Sequence, residues 1–186
     1  MRKSIDVIDK RKVTNHQRSW IVLILGLTLG SCYSIWIRDE YAIYGTINAL
    51  LRTEGAINHL TILKDSLVLY MIQFMGVVGC LLFSYTRGVA YLILLVISSG
   101  YGFTITSFLL LYGVRGIGIS LLLLGMPSLV ILGGILWLFI QRENLYKPTK
   151  QTVITIAIGI SGLIFVVSVF NAYVQPYLEK IICNIG

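Results

Sequence analysis

Five stretches of this chain run without a charged residue for nearly the length of a membrane crossing: Ser19 to Ile37, Ser66 to Phe83, Val89 to Leu111, Gly116 to Ile140 and Val153 to Phe170. A hydrocarbon core of roughly 30 Å is crossed by about 20 residues of helix, and it offers no partner to an exposed backbone amide or carbonyl. Helices satisfy those groups internally, whereas barrel strands would be shorter and would alternate in polarity. The fold class this predicts is all-α: a polytopic integral membrane helix bundle with five transmembrane helices. Composition agrees, since 56% of the 186 residues are hydrophobic and 12% are charged, with a mean hydropathy of +0.84. No soluble domain of this size is so apolar.

The 15 Lys and Arg against 8 acids leave a net charge of +7, which on a soluble face would point to nucleic acid. Here the basic residues flank the apolar runs, so the expected contact is anionic membrane lipid and no nucleic acid partner is expected. Arg2, Lys3, Lys10, Arg11, Lys12 and Arg18 precede the first run, and Arg87, Arg142, Lys147 and Lys150 lie in connections on the same side. Only Arg38, Arg52, Lys64, Arg115 and Lys180 fall on the other side. Excess Lys and Arg mark the cytoplasmic side. The N-terminus is therefore expected inside a bacterial cytoplasmic membrane and the C-terminus outside. Along the chain this gives a basic cytoplasmic tail (1–18), a first transmembrane helix (19–37), an outer amphipathic connection (38–65), a four-helix membrane bundle (66–170) and an outer C-terminal tail (171–186). Leu29-Gly30-Ser31-Cys32 has the outline of a lipoprotein processing site, but the long charged lead-in and the four later spans favour a retained first helix.

In the outer connection Ile43, Ile47, Leu50 and Leu51 recur at helical spacing, with Tyr44 on the same face and Asn48 and Arg52 opposite. One apolar face on a short helix suits two roles equally: covering the ends of the chain's own spans, or binding a partner.

The spans themselves lack the groups that pumps, proton-coupled transporters and intramembrane hydrolases keep at depth, for none contains Asp, Glu, Lys, Arg or His. Ser98, Ser99, Thr104, Thr106, Ser107 and Ser120 are hydroxyls without an activating base. Cys32, Cys80 and Cys183 have no metal-binding spacing, and no phosphate-binding loop is present. The expectation is a non-enzymatic protein with no cofactor and no metal; if ATP is used, a separate ATPase subunit binds it. Gln73, the strongest polar residue within a span, is expected to hydrogen-bond a neighbouring helix. Gly26 and Gly30 form a G-x-x-x-G pair, Gly76 with Gly79 marks a second smooth face, and both predict close helix packing. Gly113 and Gly116 bracket a tight turn, and Pro127 is expected to break or kink the fourth span by freeing the carbonyl of Leu123.

Gly102-Phe103-Thr104, Phe108-Leu109, the Tyr112-Gly113-Val114-Arg115-Gly116 turn and Leu121 to Leu124 leading to Pro127 resemble the central region of the stage II sporulation protein M family. Asn171-Ala172-Tyr173-Val174-Gln175-Pro176 resembles that family's closing segment, with Asn171 where the family has an acid, and Ile97-Ser98 stands where Lys-Gly is common. The chain thus resembles a divergent member. The resemblance implies a membrane scaffold that joins peptidoglycan-remodelling partners during forespore engulfment. Relatives among peptide export and immunity genes imply, alternatively, a membrane subunit working with an ATPase.

Overall fold

A computed structural model describes residues 2–37, 43, 45, 58–83, 85–141, 150–178 and 180. Among them every regular element is helical. The first helix, α1, spans Arg2–Ile37, α2 spans His59–Leu82 and α3 spans Arg87–Tyr112. The fourth, α4, covers Val114–Ile140 and contains a π-helical turn at Leu121–Gly125. The fifth, α5, begins at Lys150, passes through a second π turn at Phe170–Val174 and continues to Leu178. Five helices are thus long and apolar enough to cross a membrane.

Three boundaries differ from the apolar runs because a charged or polar residue ends a hydrophobic stretch without ending a helix. α1 continues from its apolar part back to Arg2, so the basic tail is backbone-helical in continuity with the first span. α2 starts at His59, where the Asn58 side chain accepts the Thr61 amide at 3.4 Å, and its exposed Lys64 and Asp65 lie within the first turns. α5 carries on through Asn171 and Pro176 rather than stopping at Phe170.

α2, α3, α4 and α5 share one core. Phe74, Val77 and Leu81 of α2 meet Ala90 and Leu94 of α3, Ile131, Ile135 and Leu138 of α4, and Ile164 and Val167 of α5. Tyr91 stacks on Phe139 at 4.7 Å across α3 and α4. Around this core the bundle presents Ile24, Ile72, Leu92, Leu129, Ile158 and Phe165, each more than half exposed. A continuous apolar exterior is stable only where the surrounding medium is lipid.

A single residue joins α3 to α4. Gly113 adopts φ 59° and ψ −142°, a region that side chains rarely enter, and its carbonyl accepts the Gly116 amide at 2.9 Å. A Cβ at Gly116 would overlap the Phe108 carbonyl oxygen, so the chain doubles back closely enough to require glycine at both places.

The expected break at Pro127 takes the form of a π turn inside a helix that does not stop. Proline lacks an N–H and crowds the carbonyl four residues back, and one extra residue in the preceding turn moves that backbone aside. Leu121 lies six residues before Pro127 and Phe170 six before Pro176, so the two π turns stand in the same relation to their prolines. Both lie toward the end of the bundle that carries the Gly113 turn, because α4 starts there and α5 finishes there.

Candidate functional site

The first constellation is a clamp between α1 and α3, the pair with the most extensive contact in the bundle. Gly26 faces Leu95 and Ser98, Gly30 faces Ser99 and Phe103, and Ser34 bonds Ser107 hydroxyl to hydroxyl at 2.9 Å, so the two helices run parallel. A Cβ at Gly30 would overlap the Ser99 carbonyl oxygen and lie 2.8 Å from the Phe103 nitrogen; one at Gly102 would overlap the Leu27 carbonyl. These are backbone-to-backbone approaches that no rotamer change relieves. The Gly102 carbonyl accepts the Ser31 hydroxyl at 3.4 Å. The G-x-x-x-G pair thus meets a partner within its own chain. A signal for that partner existed in the sequence: Gly26, Gly30 and Ser34 recur every four residues, and so do Ser98, Gly102 and Thr106. Beside the clamp an apolar groove of about 720 Å³ opens between the same helices, with Tyr33, Trp36 and Phe103 among its walls.

The structure places the other sequence-derived residues differently. Gly76 leaves ordinary space, since a Cβ there would meet only Ile93 Cδ1 at 3.8 Å. Pro127 is buried directly after its π turn. Ile43 is 2% exposed and packs on Phe108 and Leu123, with Leu111, Ile119, Leu124 and Leu178 around it. At that position the connection covers the chain's own α3 and α4, and the side chain offers no surface to a partner. Ile47, Leu50 and Leu51 lie outside the described residues.

The second constellation, a polar seam between α2 and α5, was not legible from residue types alone. Asn171 Nδ2 donates to the Tyr70 hydroxyl at 2.6 Å. His59 Nδ1 lies 2.7 Å from the Ala172 carbonyl oxygen, and its ring stacks on Tyr173 at 5.3 Å with 6° between planes. Ala172 precedes Pro176 by four residues, so its carbonyl is the one proline deprives of a helical donor. With a carbonyl as its partner, His59 Nδ1 must carry the proton, which leaves Nε2 as an acceptor in the neutral ring. Two side chains eleven residues apart on α2 therefore converge on adjacent residues of one π turn.

Hydroxyls elsewhere in the spans close onto carbonyls three or four residues back, as at Thr28, Ser98, Ser107, Ser120 and Ser128. Ser168 is fully buried and does not, and Gln73 Oε1 and Asn171 Oδ1 likewise have no protein partner. An unsatisfied buried polar group costs roughly 1–3 kcal/mol. Three of them together would consume a large part of a typical folding stability of about 5–15 kcal/mol.

Among the described residues no three His, Cys, Asp or Glu side chains are grouped as a metal site would require. These features define an integral membrane helix bundle with a backbone-contact clamp and an interior polar seam. No family model, curated protein or solved structure matches the chain.

Proposed function

We propose that this chain is a non-enzymatic multi-pass component of a membrane protein assembly, with a role like that of the sporulation engulfment scaffold its sequence resembles. The clamp is the observation that supports this reading most. α1 is held to α3 at backbone distance through Gly26, Gly30 and Gly102, and the same helix continues unbroken from Gln17 to Arg2. Fifteen further residues at about 1.5 Å each make a rod of roughly 22 Å fixed in the bundle. That is the form of a positioning element, and its basic residues suit anionic lipid or an acidic partner surface. Partner contact on the opposite side falls to the 38–65 connection beyond Ile43, with membrane or wall-associated proteins as the partners. Purification in mild detergent at native expression tests this: a stoichiometric co-purifying protein supports it, and a chain that remains alone opposes it.

A second reading, a membrane subunit of a peptide maturation, export or immunity system with a separate ATPase, is favoured by the paired π turns and the interior polar seam. Local departures from regular helical pairing and buried polar groups are features that transport paths use. Replacing Pro127 with Ala separates the two readings, since export should fall more than assembly if the second holds, whereas an equal loss of both favours the scaffold.

A further inference from the structure

We propose that the seam between α2 and α5 holds internal water, as a hydrated column leading from the His59 end of the bundle to Gln73 within its apolar core. Three buried polar ends point to it: Gln73 Oε1, Ser168 Oγ and Asn171 Oδ1, none with a protein partner. They stand in register about a single bond. Gln73 lies one turn beyond Tyr70 on α2, Ser168 lies one turn before Asn171 on α5, and Asn171 binds the Tyr70 hydroxyl at 2.6 Å. Residues three apart share a helix face, and because α2 and α5 run in opposite directions Gln73 and Ser168 both lie on the deeper side of that bond, in the same seam.

The chemistry selects water over an ion. The unpaired atoms are neutral amide and hydroxyl oxygens, and no carboxylate lies in any of the five apolar runs to balance a cation held in lipid. Buried water makes two to four hydrogen bonds, which matches the number of polar ends present. Because it both donates and accepts, it satisfies either rotation of the two amides, whereas a cation satisfies only one.

The proposed column runs toward one end of the bundle only. Toward the Gly113 end it continues to the Ala172 carbonyl, bound by His59 at 2.7 Å, and the π turn beside it loosens the regular backbone pairing. Toward the other end Phe74, Val77 and Leu81 follow Gln73 on α2, all 1% exposed or less, and seal it. Gln73 is seven residues past Ser66, so water reaches roughly 10 Å below the start of the apolar run and goes no further.

Hydroxyl-radical footprinting of the full-length protein in lipid nanodiscs, generated by X-ray radiolysis in ¹⁸O-labelled water, tests this directly. Radicals form where water is bound. After correction for intrinsic reactivity, Tyr70 should be modified at least tenfold faster than Phe74, one turn deeper, with label from the solvent. Equal protection of the two rings overturns the proposal. Gln73→Met removes one polar end and should slow Tyr70 labelling at least threefold; if that variant does not assemble, Ser168→Ala gives the same reading. A melting temperature that rises with sodium or potassium but not with N-methylglucamine would show an ion in the seam and overturn water as the guest. A higher melting temperature for Ser168→Ala than for wild type would show a dry, unsatisfied hydroxyl and overturn it too.

Discussion

Substituting Gly102 with Ala adds one methyl group at a backbone-to-backbone approach of the clamp. Its Cβ would overlap the Leu27 carbonyl oxygen and sit 2.9 Å from the Leu27 carbonyl carbon and Cα, where ordinary contact begins at 3.4 Å. Both sides are backbone, so relief requires α1 and α3 to separate by about 0.5 Å or more, a gap that forfeits a quarter or more of each facing dispersion contact. Overpacking of this kind costs about 1–3 kcal/mol. Stretching the 2.9 Å bond between Ser34 and Ser107 forfeits up to about 1 kcal/mol more. Alanine returns about 0.5–1 kcal/mol through its better helix propensity. The net loss is about 2 kcal/mol, roughly thirtyfold in the unfolding equilibrium. Gly100, two residues away on the same helix, has nothing within 4 Å of its would-be Cβ, so Gly100→Ala keeps only the favourable part. Equilibrium unfolding in bicelles by steric trapping reads both variants. If Gly102→Ala proves as stable as Gly100→Ala, the helices do not touch where the structure brings them together.

Three further outcomes are expected. Gly113→Ala should cost about 1–3 kcal/mol through backbone conformation alone, because its φ is 59° and its Cβ meets nothing, whereas Gly118→Ala, equally open, should not destabilise. His59→Ala should cost about 1–3 kcal/mol by orphaning the Ala172 carbonyl, and its cost should shrink by about 1 kcal/mol in a Pro176→Ala background, which restores a backbone donor; a strictly additive double-mutant cycle contradicts the pairing. Ile43→Ala should destabilise the isolated chain by roughly 2 kcal/mol or more through a cavity against Phe108 and Leu123. A loss seen only when a partner is present would place that side chain at an interface instead.

The five spans were legible because the bilayer imposes a length and a polarity that local sequence must satisfy, and apolar runs report both. Their ends were less so. Lys64 and Asp65 interrupt hydrophobicity without interrupting hydrogen bonding, and a π turn carries α5 across Asn171 and Pro176. Gly26 and Gly30 announced a close contact but not its partner, and the four-residue recurrence of Ser98, Gly102 and Thr106 supplies that partner only when the two stripes are compared. The seam was hidden for a deeper reason. Tyr70 and Asn171 are 101 residues apart and His59 and Ala172 are 113 apart, so neither pair leaves any local pattern. At Ile43 periodicity identified a buried face, yet it carries no information on whether the burying surface is the chain's own or another protein's.

The proposal that this bundle acts by holding other proteins is tested most directly from Gly45, which is exposed with nothing within 4 Å of its would-be Cβ. A photo-reactive amino acid placed there, activated in intact cells and followed by mass spectrometry, should yield a discrete conjugate with a membrane or wall-associated protein. Conjugates only with lipid, with further copies of the chain or with the subunits of an ATPase transporter would contradict it.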